Sequence, residues 1–433
     1  MKSLSYLSGA LWQWMLPLLL TVTALIYAVR LRGRPVRGFT GILREIGAGI
    51  RAGGKQRGIF AAALAATMGT GNLTGTALAL VTGGAGAIFW MWVSALLGMV
   101  LVYAENLLAA RYQKTDRRGI LCGGAIGMIR FGTGKRIPAA IFAVCCTGAA
   151  LGMGDTVQSN AIAQTLRQYH VPLPLCGLIT ALLLGLILTG GLNGIHRAAV
   201  VIMPLICGLY FLCCGWLIVL HADALPHAFR QIIGEAFGIR AAGCGIGISL
   251  LLRSLRVGFQ RGIFSNEAGL GSSSMLHMHA EPGTEQAQCR WAAAEVFADT
   301  ILCCTATALV ILTAPHCYPC DFNDGTSLLL AAFSEGIGQW AGVFLAVCMV
   351  LLAFATMIGW YPCGAAAVSY LTDGRGTGCY LALYLLAAFA GALGEPLWLW
   401  TLCDLCNGCM ALPNLWAMLM LSPTVTAPCR TQE

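Results

Sequence analysis

The sequence predicts an all-α protein that crosses a membrane many times. Of its 433 residues, 58% are hydrophobic and only 10% are charged, whereas a soluble domain carries roughly 25% charged residues. The mean hydropathy is +0.76, and the apolar residues fall into runs of about 20, the length a helix needs to cross a bilayer. These observations exclude an ordinary soluble enzyme and a disordered chain. The 54 glycines have no three-residue period, so a collagen is excluded as well.

Eleven apolar runs are predicted to form membrane-spanning helices. They cover residues 11–29, 59–80, 85–110, 137–162, 173–192, 198–220, 241–264, 292–314, 341–360, 378–393 and 397–421. The first run has no small-residue cleavage site before the arginines that follow it, so we predict a retained helix rather than a signal peptide. Residues 225–237 are too polar and too short to span, and are predicted to form an amphipathic helix at the outer interface. Residues 327–333 are predicted to form a similar short helix.

The positive charges predict the orientation. The net charge is +8, and the Lys and Arg residues concentrate in two stretches, 30–57 and 111–136. Short basic connections stay on the cytoplasmic side, which places the N-terminus outside and the C-terminus in the cytoplasm of a bacterial-type inner (plasma) membrane. Nucleic-acid binding is the rival explanation of a basic surplus, but these charges lie in connections between apolar runs and not in a folded soluble module, so no nucleic-acid partner is expected.

The 20 cysteines suggest a disulfide scaffold by number but not by position, because many lie inside apolar runs. Free cysteine packs there as a small hydrophobic residue. Cys403, Cys406 and Cys409 have helical spacing in the last run and could line one face. Cys317 and Cys320 lie in a predicted outer connection, and a disulfide or a metal site there is an open alternative. No metal site and no organic cofactor is predicted.

The second run contains a segment that cannot form a good helix centre. Three glycines and three threonines fall between Thr67 and Gly75, and each glycine costs about 1 kcal/mol relative to alanine. A break at mid-membrane depth is tolerated where the freed backbone is buried in protein or lines a cavity, and transporters use such breaks to hold anions and cations. The alternative is a small-residue packing face, which would explain Gly71 and Gly75 but not Asn72.

The seventh run ends in a second glycine-interrupted segment, residues 258–271, which contains Arg261 and Glu267. Charged side chains are costly in hydrocarbon, so these two are expected to face a cavity, a partner or the interface. The alternative is a loop capped by Ser265 and Asn266 with a solvated Arg–Glu pair.

Further polar groups lie inside the predicted spans. They are Glu105, Asp155, Gln158, Asn160, Glu295, Asp299 and Thr356. By helical spacing, Asp155 and Gln158 are predicted to share one face, as are Glu295 and Asp299. Ionisable groups within spans indicate functional sites, although Glu105 is expected near the cytoplasmic end, where a structural role is favoured.

Several of these segments resemble the alanine/glycine:cation symporter family. The resemblance rests on Gly69-Thr-Gly-Asn-Leu-Thr-Gly75, Trp90-Met-Trp92, Arg261-Gly-Ile-Phe-Ser-Asn-Glu-Ala-Gly269 and Thr356-Met-Ile-Gly-Trp360, together with shorter matches in the same order over about residues 55–420. It implies a LeuT-like fold, in which two five-helix inverted repeats are preceded here by one extra helix. The two interrupted runs would then be the first and sixth core helices.

The resemblance also implies the organisation and the activity. Residues 1–57 would form the extra helix and a basic cytoplasmic loop, 58–421 the transporter core, and 422–433 a short cytoplasmic tail. The protein would import a small neutral amino acid, alanine or glycine, together with Na⁺ or H⁺, by alternating access. It would not be an enzyme, and its partners would be the amino acid, the ion and the lipid bilayer.

Site roles follow from the same resemblance. The substrate site is expected to comprise Thr70, Gly71, Asn72, Asp155, Gln158 and Trp360. The cation site is expected to comprise Gly71, Asn72 and Thr356. Gating or structural roles are expected for Gly75, Asn266, Glu267 and Gly269.

Departures from the family pattern leave alternatives open. Ala355 and Ala365 stand where the family usually has an oxygen-bearing side chain, and Asp155 stands where Asn is common. The coupling ion could therefore be H⁺, carried by Asp155, and the substrate could be unusual. An uncoupled amino-acid-binding membrane protein is also possible, as is a metal-dependent membrane enzyme using His277, His279, Glu281 and Glu267, although their spacing matches no known metal signature.

Overall fold

A computed structural model describes residues 2–32, 54–115, 121–238, 247–280, 285–315, 317–318, 322, 324–394 and 397–426, with isolated positions between 41 and 51. Most of the basic 30–57 stretch therefore lies outside the described residues. So do the start of the seventh predicted run, Glu281, Cys320 and the last seven residues.

The described chain is almost entirely helical. Its first part comprises α1 (Lys2–Ala10), a π-helical turn (Leu11–Met15), α2 (Leu16–Arg30), α3 (Gly54–Thr67), a 3-10 turn (Thr70–Asn72), α4 (Thr74–Gly83), α5 (Gly86–Tyr112), a hairpin of β1 (Lys114–Thr115) and β2 (Leu121–Cys122), α6 (Gly124–Gly127), a π-turn (Met128–Gly132), α7 (Arg136–Leu151), a π-turn (Gly152–Thr156), α8 (Val157–Arg167), α9 (Leu173–Leu188) and α10 (Gly191–Leu220). The two strands pair antiparallel, with Lys114 opposite Cys122.

The second part begins with a 3-10 turn (Ala222–Ala224). It continues with α11 (Leu225–Ala236), α12 (Gly247–Asn266), α13 (Ser272–His277), α14 (Glu285–Val296), a π-helical segment (Phe297–Cys304), α15 (Thr305–Thr313), α16 (Gly325–Ile337), a 3-10 turn (Gly338–Trp340), α17 (Ala341–Leu371), α18 (Thr377–Leu393), α19 (Leu397–Leu421) and a 3-10 turn (Ser422–Thr426).

The helices are suited to a bilayer. Seven described stretches are long and apolar enough to cross a membrane, and α9 and α18 are shorter apolar helices. Large apolar side chains such as Leu212 and Leu186 are exposed, as expected for surfaces that contact lipid. The structure therefore agrees with an all-α multi-pass membrane protein. It also confirms that the short predicted segments at 225–237 and 327–333 are helical.

Both glycine-interrupted segments are broken helices at the centre of the bundle. The first break separates α3 from α4, and the second separates α12 from α13. The helix α12 packs on α4 and α5, and α3 packs on α10 and α17. Gly359 allows the close approach of α17 to α3, because a Cβ there would lie 2.5 Å from the Ala66 nitrogen of α3.

The bundle has one end that is rich in basic residues, here called the basic end. The end of α2 meets the end of α19 there, where the Tyr27 hydroxyl donates to the Met418 carbonyl at 2.6 Å. Arg111, at the end of α5, donates to the Thr424 carbonyl. The opposite end carries α11 and α16: Glu235 of α11 accepts from the Ala85 amide at 2.7 Å, just before α5 begins.

Candidate functional site

The first break is held open by a side chain rather than by helical hydrogen bonds. The helix α3 ends at Thr67, and the Gly69 amide donates to the Asn72 Oδ1 at 3.0 Å. Thr307 donates to the Asn72 carbonyl at 3.0 Å. These contacts satisfy backbone groups that a continuous helix would have paired internally.

Asn72 also ties the break to a buried carboxylate. Its Nδ2 donates to Asp299 Oδ1 at 2.6 Å. Asp299 Oδ2 accepts from Ser265 at 2.7 Å and from Thr300 at 2.8 Å. Asp299 is fully buried, and three donors compensate for the loss of water around it. The network joins the first break to the second, because Ser265 lies at the end of α12.

A cavity of about 770 Å³ reaches from the surface to this break. Its mouth includes exposed residues of the opposite end, among them Gln168, Asp324 and Thr326. Its deep part includes Thr70, Gly71, Asn72, Thr74, Gly75, Gln158, Thr356 and Trp360. Among the described lining residues, none belongs to the basic end. The cavity is therefore open towards one side of the bundle only.

The glycines of the first break face open space. No atom lies within 4 Å of a Cβ built at Gly71 or at Gly75, and both residues line the cavity. This geometry argues against a packing face at these two positions. Gly69 is different, because a Cβ there would lie 2.9 Å from the Thr356 Oγ1.

Thr356 and Trp360 approach the break from α17, as their spacing of four predicts. The Thr356 hydroxyl donates to the Leu352 carbonyl at 3.0 Å, and its oxygen faces Gly69. Trp360 is 1% exposed and packs so closely on Gly154 that a Cβ there would lie 2.5 Å from its own Cβ. Its Nε1 donates to Glu267 at 3.2 Å. Trp360 thus links the cavity floor to the second break.

Gln158 and Asp155 do not share a face, which corrects the expectation from helical spacing. Gln158 lines the cavity, and its Oε1 accepts from Thr70 at 3.3 Å. Asp155 is fully buried, does not line the cavity, and neither of its oxygens has a hydrogen-bond partner. The cause is the π-turn at Gly152–Thr156, which changes the register of side chains within one turn. A substrate contact by Asp155 stays a prediction that this conformation does not support.

The second break places its residues in different roles. Asn266 caps the turn, accepting from the Ala268 amide at 3.1 Å. Glu267 has a φ of +54° and lines the cavity, and its Oε2 has no partner. Gly269 has a φ of +79°, and a Cβ there would lie 2.3 Å from Leu20 Cδ2. The left-handed backbone at Gly269 and its contact with α2 require glycine.

Sequence reasoning missed part of the cavity wall. Asp404 and Asn407 of α19 line it, as do Phe264 and Ser265 beside the second break. Arg261, for which a cavity was one of three expected environments, also lines it. A signal for α19 was available, since Asp404 and Asn407 are polar and lie three residues apart in an apolar run. Glu105 lies elsewhere, buried between the Ser274 amide and Asn414.

Helix ends give the site its electrostatic character. The N-terminus of α4 lies at Thr74 and Gly75, which line the cavity, and its first amides carry partial positive charge. The C-terminus of α3 presents partial negative charge at Ala66 and Thr67, which also line the cavity. Among the described residues, no group of three or more His, Cys, Asp or Glu side chains could hold a metal ion.

A multi-pass helical bundle with a cavity that ends at two broken helices has the architecture of a membrane transporter. The model of the sodium:alanine symporter family matches residues 1–431. The chain belongs to this family, which confirms the resemblance drawn from its motifs.

Three similar proteins span nearly the same length. An uncharacterized transporter of Haemophilus influenzae is 35% identical over 98% of this chain and 94% of its own length. The sodium/alanine symporter AgcS of Methanococcus maripaludis is 35% identical over 84% of this chain and 81% of its own. The amino-acid carrier protein AlsT of Bacillus subtilis is 32% identical over 96% and 88%.

Proposed function

We propose that the protein is a secondary active symporter that imports a small neutral amino acid, alanine or glycine, with Na⁺. The observation that carries this proposal is the cavity that is open on one side and ends between the two breaks. A carrier works by exposing such a site to each side in turn, and substrate and ion shift that equilibrium only through their differential affinities for its states.

The N-terminus of α4 is proposed to hold the substrate carboxylate. Thr74 and Gly75 expose the positive end of that helix, and an anion there is stabilised by the helix dipole and by free amides. Gly71 and Gly75 leave room for close approach because no atom occupies their Cβ positions. Thr70, Gln158 and Trp360 would surround the rest of the molecule. Asn72 would act through the backbone, since its amide group is already bonded to Asp299 and Gly69.

Na⁺ is proposed to bind between α3 and α17. The Thr356 Oγ1 lies beside Gly69, two residues beyond the C-terminus of α3, and hydroxyl and backbone carbonyl oxygens suit a hard cation. The name of the Methanococcus relative, a sodium/alanine symporter, supports both the ion and the substrate class. Glycine and serine are small enough to compete with alanine.

The LeuT-like arrangement is proposed for the same chain. The seven long apolar stretches, the two shorter apolar helices α9 and α18, and the broken spans α3–α4 and α12–α13 would together give the eleven spans that the sequence predicts. The breaks then fall in corresponding first helices of two five-helix repeats. The basic end would face the cytoplasm, and the open cavity would face outside.

The test is labelled alanine uptake into proteoliposomes under an imposed Na⁺ gradient or an imposed H⁺ gradient, at zero membrane potential. Accumulation driven by Na⁺ is the expected result. Gln158→Ala should abolish uptake while the protein stays monodisperse. Binding of alanine without accumulation under either gradient would replace the symporter by an uncoupled binding protein.

Coupling to H⁺ is the second candidate, and one observation favours it. Asp155 is fully buried with both oxygens unpartnered, and a carboxyl group in that setting is more stable with a proton bound. If Asp155 carries the coupling proton, only the H⁺ gradient drives uptake, and Asp155→Asn removes that dependence. Unchanged H⁺-driven uptake by Asp155→Asn would exclude this role.

A further inference from the structure

A buried histidine joins three helices near the basic end. His277, at the end of α13, is 4% exposed. Its Nδ1 lies 2.6 Å from Gln288 Oε1 and its Nε2 lies 3.2 Å from Glu295 Oε2, both on α14. Gln288 Nε2 in turn donates to Gln56 Oε1 of α3 at 2.6 Å. One imidazole thus connects the second broken helix to α14, and through Gln288 to the first broken helix.

Both ring nitrogens of His277 face side-chain oxygens in this arrangement. Only an imidazolium donates from both nitrogens. A neutral ring could accept at Nδ1 if the amides of Gln288 and Gln56 both turned over, so the need for a proton here rests on Glu295. Glu295 is 2% exposed, and its other oxygen has no partner. A positive charge on His277 compensates this carboxylate, whose burial without a counter-charge would be costly.

Other titratable groups lie around His277. The elements packed against α13 are α3, α5, α6, α14 and α17. The helix α5 contributes the Glu105 carboxylate, which accepts from the Ser274 amide at 3.1 Å, and α6 has no titratable residue. The helix α17 contributes the Cys363 thiol, 3.9 Å from the Ser272 carbonyl. Charged or titratable residues near the ends of the contacting segments are Arg57, His279, Glu285 and Arg290. Glu295 forms an ion pair with His277 at 3.2 Å.

This cluster stands at the closed side of the cavity. The cavity reaches the two breaks from the opposite end, and its described lining stops before Gln56, His277 and Gln288. In the proposed alternating-access cycle, the basic end would open through movement of α3 and α13 away from α14. We propose that His277 is a proton-binding site at the basic end, and that its proton holds this end of the transport path closed.

The sign of the pH dependence follows from linkage. In the closed form Glu295 and Gln288 both accept from the ring, so this form binds the proton more tightly than a form in which α13 has left α14. Alkaline pH at the basic end therefore favours opening and acidic pH favours closure. Because one proton is involved, the ratio of open to closed protein changes by at most about tenfold per pH unit.

Two native cysteines allow a direct test. Cys289 is buried beside Gln288, whereas Cys379, near the start of α18 at the basic end, is exposed. Purified full-length protein in lipid nanodiscs would be exposed briefly to N-ethylmaleimide between pH 6 and pH 8.5. Peptide mass spectrometry would then give the alkylation of Cys289 relative to Cys379, a ratio that corrects for the reactivity of the reagent.

The wild-type ratio should rise at least fivefold across this range. His277→Gln and Glu295→Gln should each give a high ratio that does not depend on pH. His221→Gln, the same change at the opposite end, should behave as wild type. A flat wild-type ratio, or a wild-type profile in Glu295→Gln, would overturn the proposal. If His277→Gln does not fold, Glu295→Gln decides.

The role proposed for His277 depends on one feature of the proposed alternating-access function, namely that the basic end opens. The labelling needs neither alanine nor an ion, so its failure is distinct from a failure of symport. Sodium-driven uptake combined with a flat labelling ratio would remove the role of His277 and leave the transporter intact. A pH-dependent labelling ratio without uptake would support the role of His277 and remove the proposed symport.

Discussion

The residues of the first break differ in whether they contact neighbouring side chains or border the open cavity. Gly69 touches the Thr356 hydroxyl, whereas Gly71 and Gly75 face the open cavity. Asn72 is committed on both sides of its amide, to Gly69 and to Asp299. In the proposed site, a substrate would meet backbone at Gly71 and Gly75 and side chains at Gln158 and Trp360. Thr356 supplies the hydroxyl of the proposed ion site, so substitutions of this residue test ion binding.

Thr356→Ala should weaken the binding of the coupling ion, whereas Thr356→Ser should not. Loss of one oxygen ligand is expected to raise the Na⁺ concentration for half-maximal uptake by about tenfold, which corresponds to about 1.4 kcal/mol. Thr356→Ser keeps the hydroxyl and should stay within about threefold of wild type. The measurement is alanine uptake as a function of Na⁺. Equal Na⁺ dependence in Thr356→Ala and wild type would exclude Thr356 as a ligand.

At the scale of elements, the breaks depend on tight helix contacts. The helix α17 approaches α3 at Gly359, where a Cβ would meet the Ala66 nitrogen at 2.5 Å. The helix α16 packs on α4 and begins with Asp324, which accepts from the Ser327 amide at 2.8 Å and from its hydroxyl at 2.8 Å. These contacts position the cavity wall on both sides of the first break.

Gly359→Ala should destabilise the protein, and Gly208→Ala in α10 should not. The first change forces α3 and α17 apart, and overpacking of this kind costs about 1–3 kcal/mol. At Gly208 no atom lies within 4 Å of the added Cβ, and alanine is the better helix former. Thermal unfolding in detergent compares the two variants. Equal unfolding temperatures would show that the α3–α17 contact relaxes freely.

Asp324→Ala should fray the start of α16, whereas Asp324→Asn should keep the cap. The loss of an N-cap costs about 0.5–2 kcal/mol, and the lower part of that range is expected because Asp324 is exposed. Hydrogen–deuterium exchange of residues 325–337 is the measurement. Faster exchange in Asp324→Asn than in Asp324→Ala would contradict the assignment of the cap.

The same cap predicts a response to acid. Hydrogen bonds from Ser327 to the carboxylate lower the pKa of Asp324. A lowered pKa means that the cap contributes its full stability above the usual pKa of aspartate, and loses it as the pH falls through the lowered value. Exchange of α16 in wild type, corrected for intrinsic rates, should therefore increase in acid. Asp324→Asn should show no such increase.

The whole molecule is asymmetric from end to end. Positive charge gathers at the basic end, and the cavity opens at the other. Charge asymmetry of this kind determines orientation during insertion. The open cavity is therefore expected to face outside, where an importer meets its substrate.

The four lysines of the chain test this orientation without any mutation. Lys2 precedes the first span, whereas Lys55, Lys114 and Lys135 belong to the basic stretches. A membrane-impermeant amine reagent applied to intact spheroplasts should modify Lys2 and spare the other three. After lysis, lysines at both ends should react. Modification of Lys114 or Lys135 in intact spheroplasts would reverse the orientation.

The sequence by itself determined the class of fold, the position of both breaks and several of the residues that line the deep part of the cavity. Composition and apolar runs suffice for the class, because a bilayer admits few backbone arrangements. Glycine and threonine within apolar runs suffice for the breaks, because they disfavour a continuous helix and because a released backbone must line a cavity or be buried in protein. Thr356 and Trp360 followed from the family resemblance, and their spacing of four residues predicts that they share one face of a regular helix.

Only the tertiary structure decided which side chains meet. The π-turn at Gly152–Thr156 separates Asp155 from Gln158, and local spacing could not show this because spacing assumes an unbroken helical period. Asn72 and Asp299 are 227 residues apart yet bond at 2.6 Å, and His277 finds Glu295 across two helices. Such pairs depend on how helices pack, and packing depends on the shapes of all the surfaces at once.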